Sequence, residues 1–333
     1  MNLVVLGSGG WGTAIALLLH KNANAVTLWS HNAEKAEEMR QSRSNPLLQN
    51  VSIPKGISIT NDLNCLKTAE LVVFAPPSFA LRAVAKQAAP YLPAGAVLLS
   101  VTKGIERGTH LRMSQVIAQE TGGAHPLAVL SGPSHAEEVA RGIPTGVVAA
   151  SADEQTARLV QTLFTNDDFR VYTHDDVVGV ELAGALKNVA ALCCGVSDGY
   201  GLGDNTKALL ITRAMAETSR LAERLGGRKE TLAGLAGMGD LIVTCTSRHS
   251  RNRRAGIAIG EGRAPQEVIA DMGGVVEGYY AAVSAKELAD AMGVEMPICS
   301  AVYDVLYHDA AVDDMIRRLM RRAPKRETDN KWV

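Results

Sequence analysis

The chain has 333 residues, 47% hydrophobic and 21% charged, with a formal net charge of −1. That length supports two domains, and so even a charge balance gives no general footing for nucleic acid or an anionic membrane. The five cysteines, Cys65, Cys193, Cys194, Cys245 and Cys299, form no CxxC pair. Their odd number fits a reducing compartment, and no His/Cys cluster has metal-ligand spacing, so no metal is expected.

The first 21 residues, MNLVVLGSGGWGTAIALLLHK, are apolar enough to suggest a leader. They lack a basic n-region, and four glycines break the run. They read better as strand, turn and helix: LVVLG (3–7), then TAIALLLHK (13–21). AVTLWS (25–30) follows as a strand and NAEKAEEMRQS (32–42) as a helix. ELVVFAPP (70–77) is a strand closed by two prolines, with a helix near 78–89. AVLLSVTKG (96–104), a helix around 109–120 and PLAVLSGP (126–133) continue the alternation. GVVAASA (146–152), the helix DEQTARLVQTLFT (153–165) and FRVYTHDD (169–176) complete it. Apolar strands alternating with helices imply a parallel sheet covered on both faces.

Strand signals stop near residue 177. Helical stretches follow at 178–197, 204–225, 230–236, 251–260, 265–272, 278–292 and 298–306. No apolar run reaches the ~18 residues of a spanning helix, so a cytoplasmic chain that is not an integral membrane protein is expected.

GSGGWG supplies Gly7, Gly9 and Gly12 in GxGxxG spacing, after a strand and before a helix. In that context Gly7 permits the turn, Gly9 lets amides approach a pyrophosphate, and Gly12 lets helix and strand pack closely. The expected fold class is therefore α/β: an N-terminal Rossmann-type doubly wound sheet (1–177), then an all-α C-terminal domain (178–333). The second strand ends Trp29-Ser30-His31, without the Asp or Glu usual in NAD-specific sites. Ser30 and His31 could donate to a 2′-phosphate, so NADPH is expected to be accepted alongside NADH.

Other stretches carry a second chemistry. SVTKGIE places Lys103 at the C-terminal end of a strand, where open α/β sheets bind ligands. LSGPSHAEEVA does the same with Gly132 and Ser134. AGMGDLIVTCTS surrounds Asp240 with small residues, and SRNRRAG puts Ser250, Arg251 and Asn252 at a helix start. The helix dipole disfavours arginine there unless an anion offsets it. Singly, these suit surface charges or a solvated basic face; together they suggest one pocket for a small anionic substrate.

The ordered motifs GSGGWGTA, FAPPS, TKGIE, LSGPSHAEEVA, ALKNVAAL, GLGDNTKALLITRAMAE, AGMGDLIVTCTSRHSRNRRAG and VVEGYYAA resemble bacterial glycerol-3-phosphate dehydrogenases, over roughly residues 1–310. The resemblance implies reversible, NADH- or NADPH-dependent reduction of dihydroxyacetone phosphate to sn-glycerol 3-phosphate for phospholipid synthesis. It also implies a Rossmann domain joined to a helical domain, commonly in a cytoplasmic homodimer. By matching motif it makes Lys187 the catalytic and a substrate-binding residue. Lys103, Gly132, Ser134, Asp240, Ser250, Arg251 and Asn252 join it at the substrate. Gly10, Trp11, His31, Lys103, Ala136, Arg251, Val275 and Glu277 match cofactor contacts. Two departures stand out. His135 replaces a common phenylalanine, and the C-terminus carries Arg317, Arg318, Arg321, Arg322, Lys325 and Arg326, expected to form a solvated tail.

Lys187 interrupts the apolar helix ELAGALKNVAALCCG (181–195). Burial would lower its pKa and a nearby Asp240 would raise it; the sequence leaves the balance open. Its helix-face neighbours Ala183, Gly184, Ala190, Ala191 and Cys194 are all small, which suggests a shallow floor kept clear for a ligand. Two rivals remain at this point: a dehydrogenase for another hydroxy or keto acid, and a dinucleotide-binding sensor without turnover.

Overall fold

The computed structural model describes residues 1–324 together with Arg326 and Glu327. Eight strands form one sheet: β1 (Asn2–Leu6), β2 (Ala25–Trp29), β3 (Ile57–Thr60), β4 (Leu71–Phe74), β5 (Val97–Ser100), β6 (Leu127–Ser131), β7 (Thr145–Ala150) and β8 (Phe169–His174). Their order is β3-β2-β1-β4-β5-β6-β7-β8. In register, Leu6 lies beside both Trp29 and Phe74, so the C-terminal ends of β1, β2 and β4 share one edge. The order in which strands are added reverses between the parallel neighbours β1 and β4, the crevice where open α/β folds bind nucleotides.

Helices α1 (Gly10–Lys21), α2 (Ala33–Ser42), α3 (Leu81–Ala88), α4 (Met113–Glu120), α5 (Ala136–Val139) and α6 (Glu154–Phe164) accompany these strands. β4 and β5 are buried at every residue, because apolar clusters from α1 and α6 cover one face and from α3 and α4 the other. The sequence predicts a parallel sheet, and the sheet departs from that expectation at one pair. β6 and β7 run antiparallel. The connection between them holds only α5, a single helical turn, in place of a crossover helix. β3 was not foreseen either: ISIT is short, follows a Pro/Asn-rich stretch, and is only half buried.

The rest is helical: α7 (Val177–Gly199), α8 (Asp204–Arg224), α9 (Lys229–Ala233), α10 (Asp240–Thr246), α11 (Arg251–Gly260), α12 (Pro265–Asp271), α13 (Glu277–Met292), α14 (Pro297–Tyr307) and α15 (Val312–Met320). α7 has the length and apolarity of a membrane span, with a window of mean hydropathy 1.6, but 78% of that window is buried in the protein. It is a core helix. Asp176 caps it, accepting from the Gly179 N–H at 2.8 Å. Glu181 ties it to the sheet domain, accepting from the Ser114 N–H at 2.8 Å and hydroxyl at 2.6 Å, and from Arg112.

The basic C-terminal run is mostly not a solvated tail. Arg317 and Arg318 lie in α15, paired with Asp313 and Asp304, and Arg322 pairs with Glu295. Arg321 follows α15 and is exposed. Lys325 lies outside the described residues.

α11 crosses α7 almost backbone to backbone. A methyl group on Gly195 would lie 2.1 Å from the Arg253 carbonyl oxygen, and one on Gly256 would lie 2.2 Å from that of Leu192. Gly199 and Gly260 repeat this one turn on, at 2.1 and 2.3 Å from the carbonyls of Ile257 and Val196. Only glycine fits this seam, which holds the body of α11 against the C-terminal third of α7. Gly256→Ala should therefore cost about 1–3 kcal/mol, by forcing the helices apart. Thermal or urea unfolding checks this; an unchanged midpoint would contradict the seam.

Candidate active site

The glycine turn sits at the end of β1. Gly7 has φ +121°, and a methyl there would meet the Ala75 carbonyl at 2.8 Å. A methyl on Gly12 would fall 1.9 Å from the Gly7 oxygen, so this glycine lets α1 close onto the turn. Gly9 differs: the space its Cβ would enter holds nothing within 4 Å. The first turn of α1, from Gly10, has no side-chain cap, so its amides point out at the open side of Gly9. That cradle fits a dinucleotide pyrophosphate. Trp11 binds the turn to the sheet, its indole N–H donating to the Val101 carbonyl at 3.3 Å.

Asn45 was missed by sequence reasoning. It is buried and donates to the Ser8 carbonyl at 3.1 Å and the Thr13 hydroxyl at 2.7 Å, clamping the turn from outside. It lies in an irregular segment with no periodicity to flag it. Ser30 requires a correction. It is fully buried and accepts from the Ser8 hydroxyl at 2.9 Å, so it braces the turn and does not face a ribose phosphate. His31, the next residue, is exposed.

The second group gathers where β5 and β6 end. Lys103 donates to Asp240 Oδ2 at 2.8 Å and to the Gly132 carbonyl at 2.9 Å, which also accepts from Ser134 Oγ at 2.9 Å. Gly132 has φ +144°, and a methyl there would lie 2.9 Å from Val147 Cα, so the loop can turn here only with glycine. Lys187 donates to Asp240 Oδ1 and to Thr244 Oγ1, the latter at 3.0 Å. One carboxylate thus joins a lysine of the sheet domain to a lysine of the helical domain.

The side chains of Lys187 and Asp240 are only 9% and 1% exposed. Burial disfavours both charges. For Lys187 it prevails, with Lys103 adding repulsion against the pull of Asp240, and the ammonium pKa falls to about 7. For Asp240 burial is outweighed by Lys103 and Lys187, which hold the carboxyl below its ordinary value. Asp240 follows a single π-helical turn, Leu235–Gly239, a local form common at functional sites. Thr244 was also missed. It stands one turn after Asp240, and that i, i+4 spacing was the available signal.

The small residues around Lys187 divide. Gly184 does leave room, but for protein and not for a ligand: a methyl there would meet Ser131 Oγ at 2.8 Å and Lys103 Cγ at 3.5 Å. Ala190, Ala191 and Cys194 instead pack under Leu241 and Cys245, so they are core and not floor.

The third group forms at the head of α11. Ser250 caps it, accepting from the Arg253 N–H at 3.2 Å. Arg253 is neutralised by Asp198 at 2.6 Å. Arg251 forms no ion pair among the described residues and lies over Gly274, where a methyl would be 2.7 Å from its Nη1. Asn252 faces inward, donating to Asn188 Oδ1 at 2.9 Å and accepting from the Gly278 N–H at 2.8 Å. Those two bonds hold α7, α11 and α13 together, and the amide keeps a second N–H beyond them. Val275 is half-buried, just before the first turn of α13 with Glu277. Burial pushes the Glu277 carboxyl up, against the pull of hydrogen bonds from Ser78.

His135 caps the single turn α5 without a side-chain bond, and Ala136 packs on the sheet core beside it. The His135 ring centroid is 6.0 Å from that of His249, and its Nε2 is buried without a hydrogen-bond partner. Burial, with help from Lys187, holds its imidazole below the usual value, so it is neutral at pH 7.

Comparison with known proteins agrees with this geometry. The family model of the NAD-dependent glycerol-3-phosphate dehydrogenase N-terminus matches residues 2–157, and that of the C-terminus residues 176–317. A glycerol-3-phosphate dehydrogenase (NAD(P)+) of Moorella thermoacetica is 49% identical over 331 residues, covering 99% of this chain and 98% of that protein. Its counterpart from Pelotomaculum thermopropionicum is 48% identical over 331 residues, with 98% and 95% covered. The crystal structure of glycerol-3-phosphate dehydrogenase from Coxiella burnetii is similar with a TM-score of 0.93 at 39% identity, covering 96% of this chain and 98% of that one. A ketopantoate reductase from Ralstonia eutropha, 14% identical with a TM-score of 0.61, shares the fold alone. The chain belongs to the NAD-dependent glycerol-3-phosphate dehydrogenase family.

Proposed function

We propose that this protein reduces dihydroxyacetone phosphate to sn-glycerol 3-phosphate with NADH or NADPH, as a soluble cytoplasmic enzyme that supplies glycerophospholipid synthesis. The observation that carries the reading is a buried lysine of lowered pKa on the same helix pair as an arginine at a helix head that forms no ion pair among the described residues. We take residues 1–177 as the nucleotide-binding unit and the chain from 178 as the catalytic one. A homodimer is proposed from the family resemblance.

Gly7, Gly9, Gly10, Trp11 and Gly12 would hold the pyrophosphate side of the dinucleotide, with His31, Lys103, Ala136, Arg251, Val275 and Glu277 along its length. When bound, the reduced nicotinamide supplies the hydride. Lys187 donates the proton that the carbonyl oxygen needs as it becomes an alcohol, and in the reverse direction removes it. Asp240 and Thr244 fix the Lys187 ammonium in place. Lys103, anchored on Gly132 beside Ser134, adds positive charge on the other side of Asp240. Arg251 and the head of α11 capped by Ser250 clamp the phosphate, with Asn252 setting the helix in position. That remote grip orients the reacting ketone.

A spectrophotometric assay with dihydroxyacetone phosphate, run with NADH and NADPH in parallel, tests the reading. Consumption of both reduced cofactors is expected, and no oxidation of either would refute it. Lys187→Ala should reduce kcat to less than about a hundredth with the fold retained, which circular dichroism can verify. The pH profile gives a sharper check. The free ammonium is required for reduction, so kcat/KM in that direction should fall as pH rises through about 7. In the oxidative direction the neutral amine is required, and kcat/KM should rise through the same pH. A flat reductive profile between pH ~6 and ~8 would exclude Lys187 as the acid. Arg251→Ala should raise KM for the phosphorylated substrate about 10–100-fold, the loss of one charge-assisted contact. Movement of the cofactor constant alone would contradict the phosphate role.

A further inference from the structure

The loop after β4 meets the start of α13 across the boundary between sheet and helices. Ser78 donates twice to Glu277: its backbone N–H to Oε1 at 3.0 Å and its hydroxyl to Oε2 at 2.6 Å. Phe79 and Tyr280 repeat the pairing just outside, with ring centroids 5.2 Å apart. The turn after Lys103 seals the inner side, since a methyl on Gly104 would lie 2.4 Å from Ser78 Cβ and 3.8 Å from Glu277 Oε2. Ser78 is buried there, and its only hydroxyl acceptor is that carboxylate.

The contact continues inward. The N–H of Gly278 donates to Asn252, whose amide donates to Asn188, the residue after Lys187. A methyl on Gly278 would meet the Asn188 carbonyl at 2.5 Å, so α13 is held tightly at this point. One chain of hydrogen bonds therefore links the β4 loop, the first turn of α13, the head of α11 and the lysine helix.

We propose that Ser78 is a positioning residue: it orients Glu277 towards the cofactor and clasps the first turn of α13, with the head of α11, to the nucleotide-binding unit. The proposal rests on the reading above that Glu277 faces the cofactor. Two donors on one buried carboxylate are a specific arrangement, because a buried carboxylate without them is costly. Arg251 on α11 is the charged group that acts on Glu277 from another element. Removing the Ser78 hydroxyl leaves the carboxylate under-bonded and free to turn.

The test is a fluorescence titration of the full chain with NADPH alone, without substrate, from pH ~5 to ~8. Wild type is compared with Ser78→Ala, Ser78→Thr, Glu277→Ala and the double variant Ser78→Ala/Glu277→Ala. Ser78→Ala should weaken NADPH binding about tenfold, the scale of one hydrogen bond to a charged group. Ser78→Thr, which keeps the hydroxyl, should restore most of it. The midpoint of the pH dependence should move upward in Ser78→Ala, since the charged carboxylate has lost a donor. In the Glu277→Ala background, Ser78→Ala should have almost no further effect. Wild-type affinity in Ser78→Ala would overturn the clasp. So would a loss that persists undiminished without Glu277 and leaves the midpoint fixed, because Ser78 would then be packing alone. Unchanged NADPH binding by Glu277→Ala would remove the cofactor-facing reading and the proposal with it. Should Ser78→Ala fail to fold, Ser78→Cys keeps the volume while weakening the donor, and carries the same comparison.

Discussion

The structure turns on one carboxylate between two ammonium groups. Asp240 accepts from Lys103 of the sheet domain and Lys187 of the helical domain, in a place almost closed to water. Two buried cations alone would repel each other and shed protons; an uncompensated buried carboxylate would take one up. The triad is tolerable only because its members offset one another. The balance is unequal. It leaves one positive charge in excess over the pair of carboxylate oxygens and sets Lys187 at the edge of deprotonation. A structural ion pair would lie far from that edge. Here the same contacts that join the domains also set the proton affinity of Lys187.

The rest of the molecule keeps those groups in register. α7 carries Lys187 and Glu181 on one buried rod, the first towards the chemistry and the second into the head of α4. α11 brings its capped head alongside through the glycine seam. Asn188 and Asn252 lock the two helices, and α13 closes over both. The polar side chains in this layer are consequently partnered, as buried polar groups must be. Among the described residues of this region the exceptions are Ser131 Oγ, Ser197 Oγ on α7 and, beside Ser134, the ring nitrogen Nε2 of His135. His135 is where the chain departs from the phenylalanine expected by resemblance.

Much of this was legible in the sequence, for identifiable reasons. The glycine turn was readable because its spacing and its strand-to-helix setting are imposed by close contacts at Gly7 and Gly12. Lys187 was readable because a charge in an apolar helix demands a reason. α10 was not: DLIVTCT is rich in β-branched residues and resembles a strand, yet it is helical because Leu241 and Cys245 must face α7. Its helicity also brings Thr244 round beside Asp240. Ser30 was misread because its neighbours along the chain say nothing of Ser8, which lies 22 residues away in sequence and against it in space. Asn252 was legible as part of a motif, but not as the brace between three helices that its contacts show. Local pattern gives the identity of a site; which atoms are free to meet a ligand is decided by tertiary partners.

The seam between α7 and α11 also limits how the enzyme can move. Carbonyls of each helix fit where the other lacks side chains, so the two cannot slide or roll without collision. Lys187 and the head of α11 with Arg251 therefore travel as a single stiff part. What joins that part to the sheet is the segment before α7, where Asp175 and Asp176 both reach Arg228, and the contacts at Asp240 and Glu277. Substrate bound to the helical part would then keep its distance to the donor while approaching or leaving the dinucleotide. In the proposed reaction, reach between ketone and hydride would be the adjustable quantity, and alignment between ketone and Lys187 the fixed one.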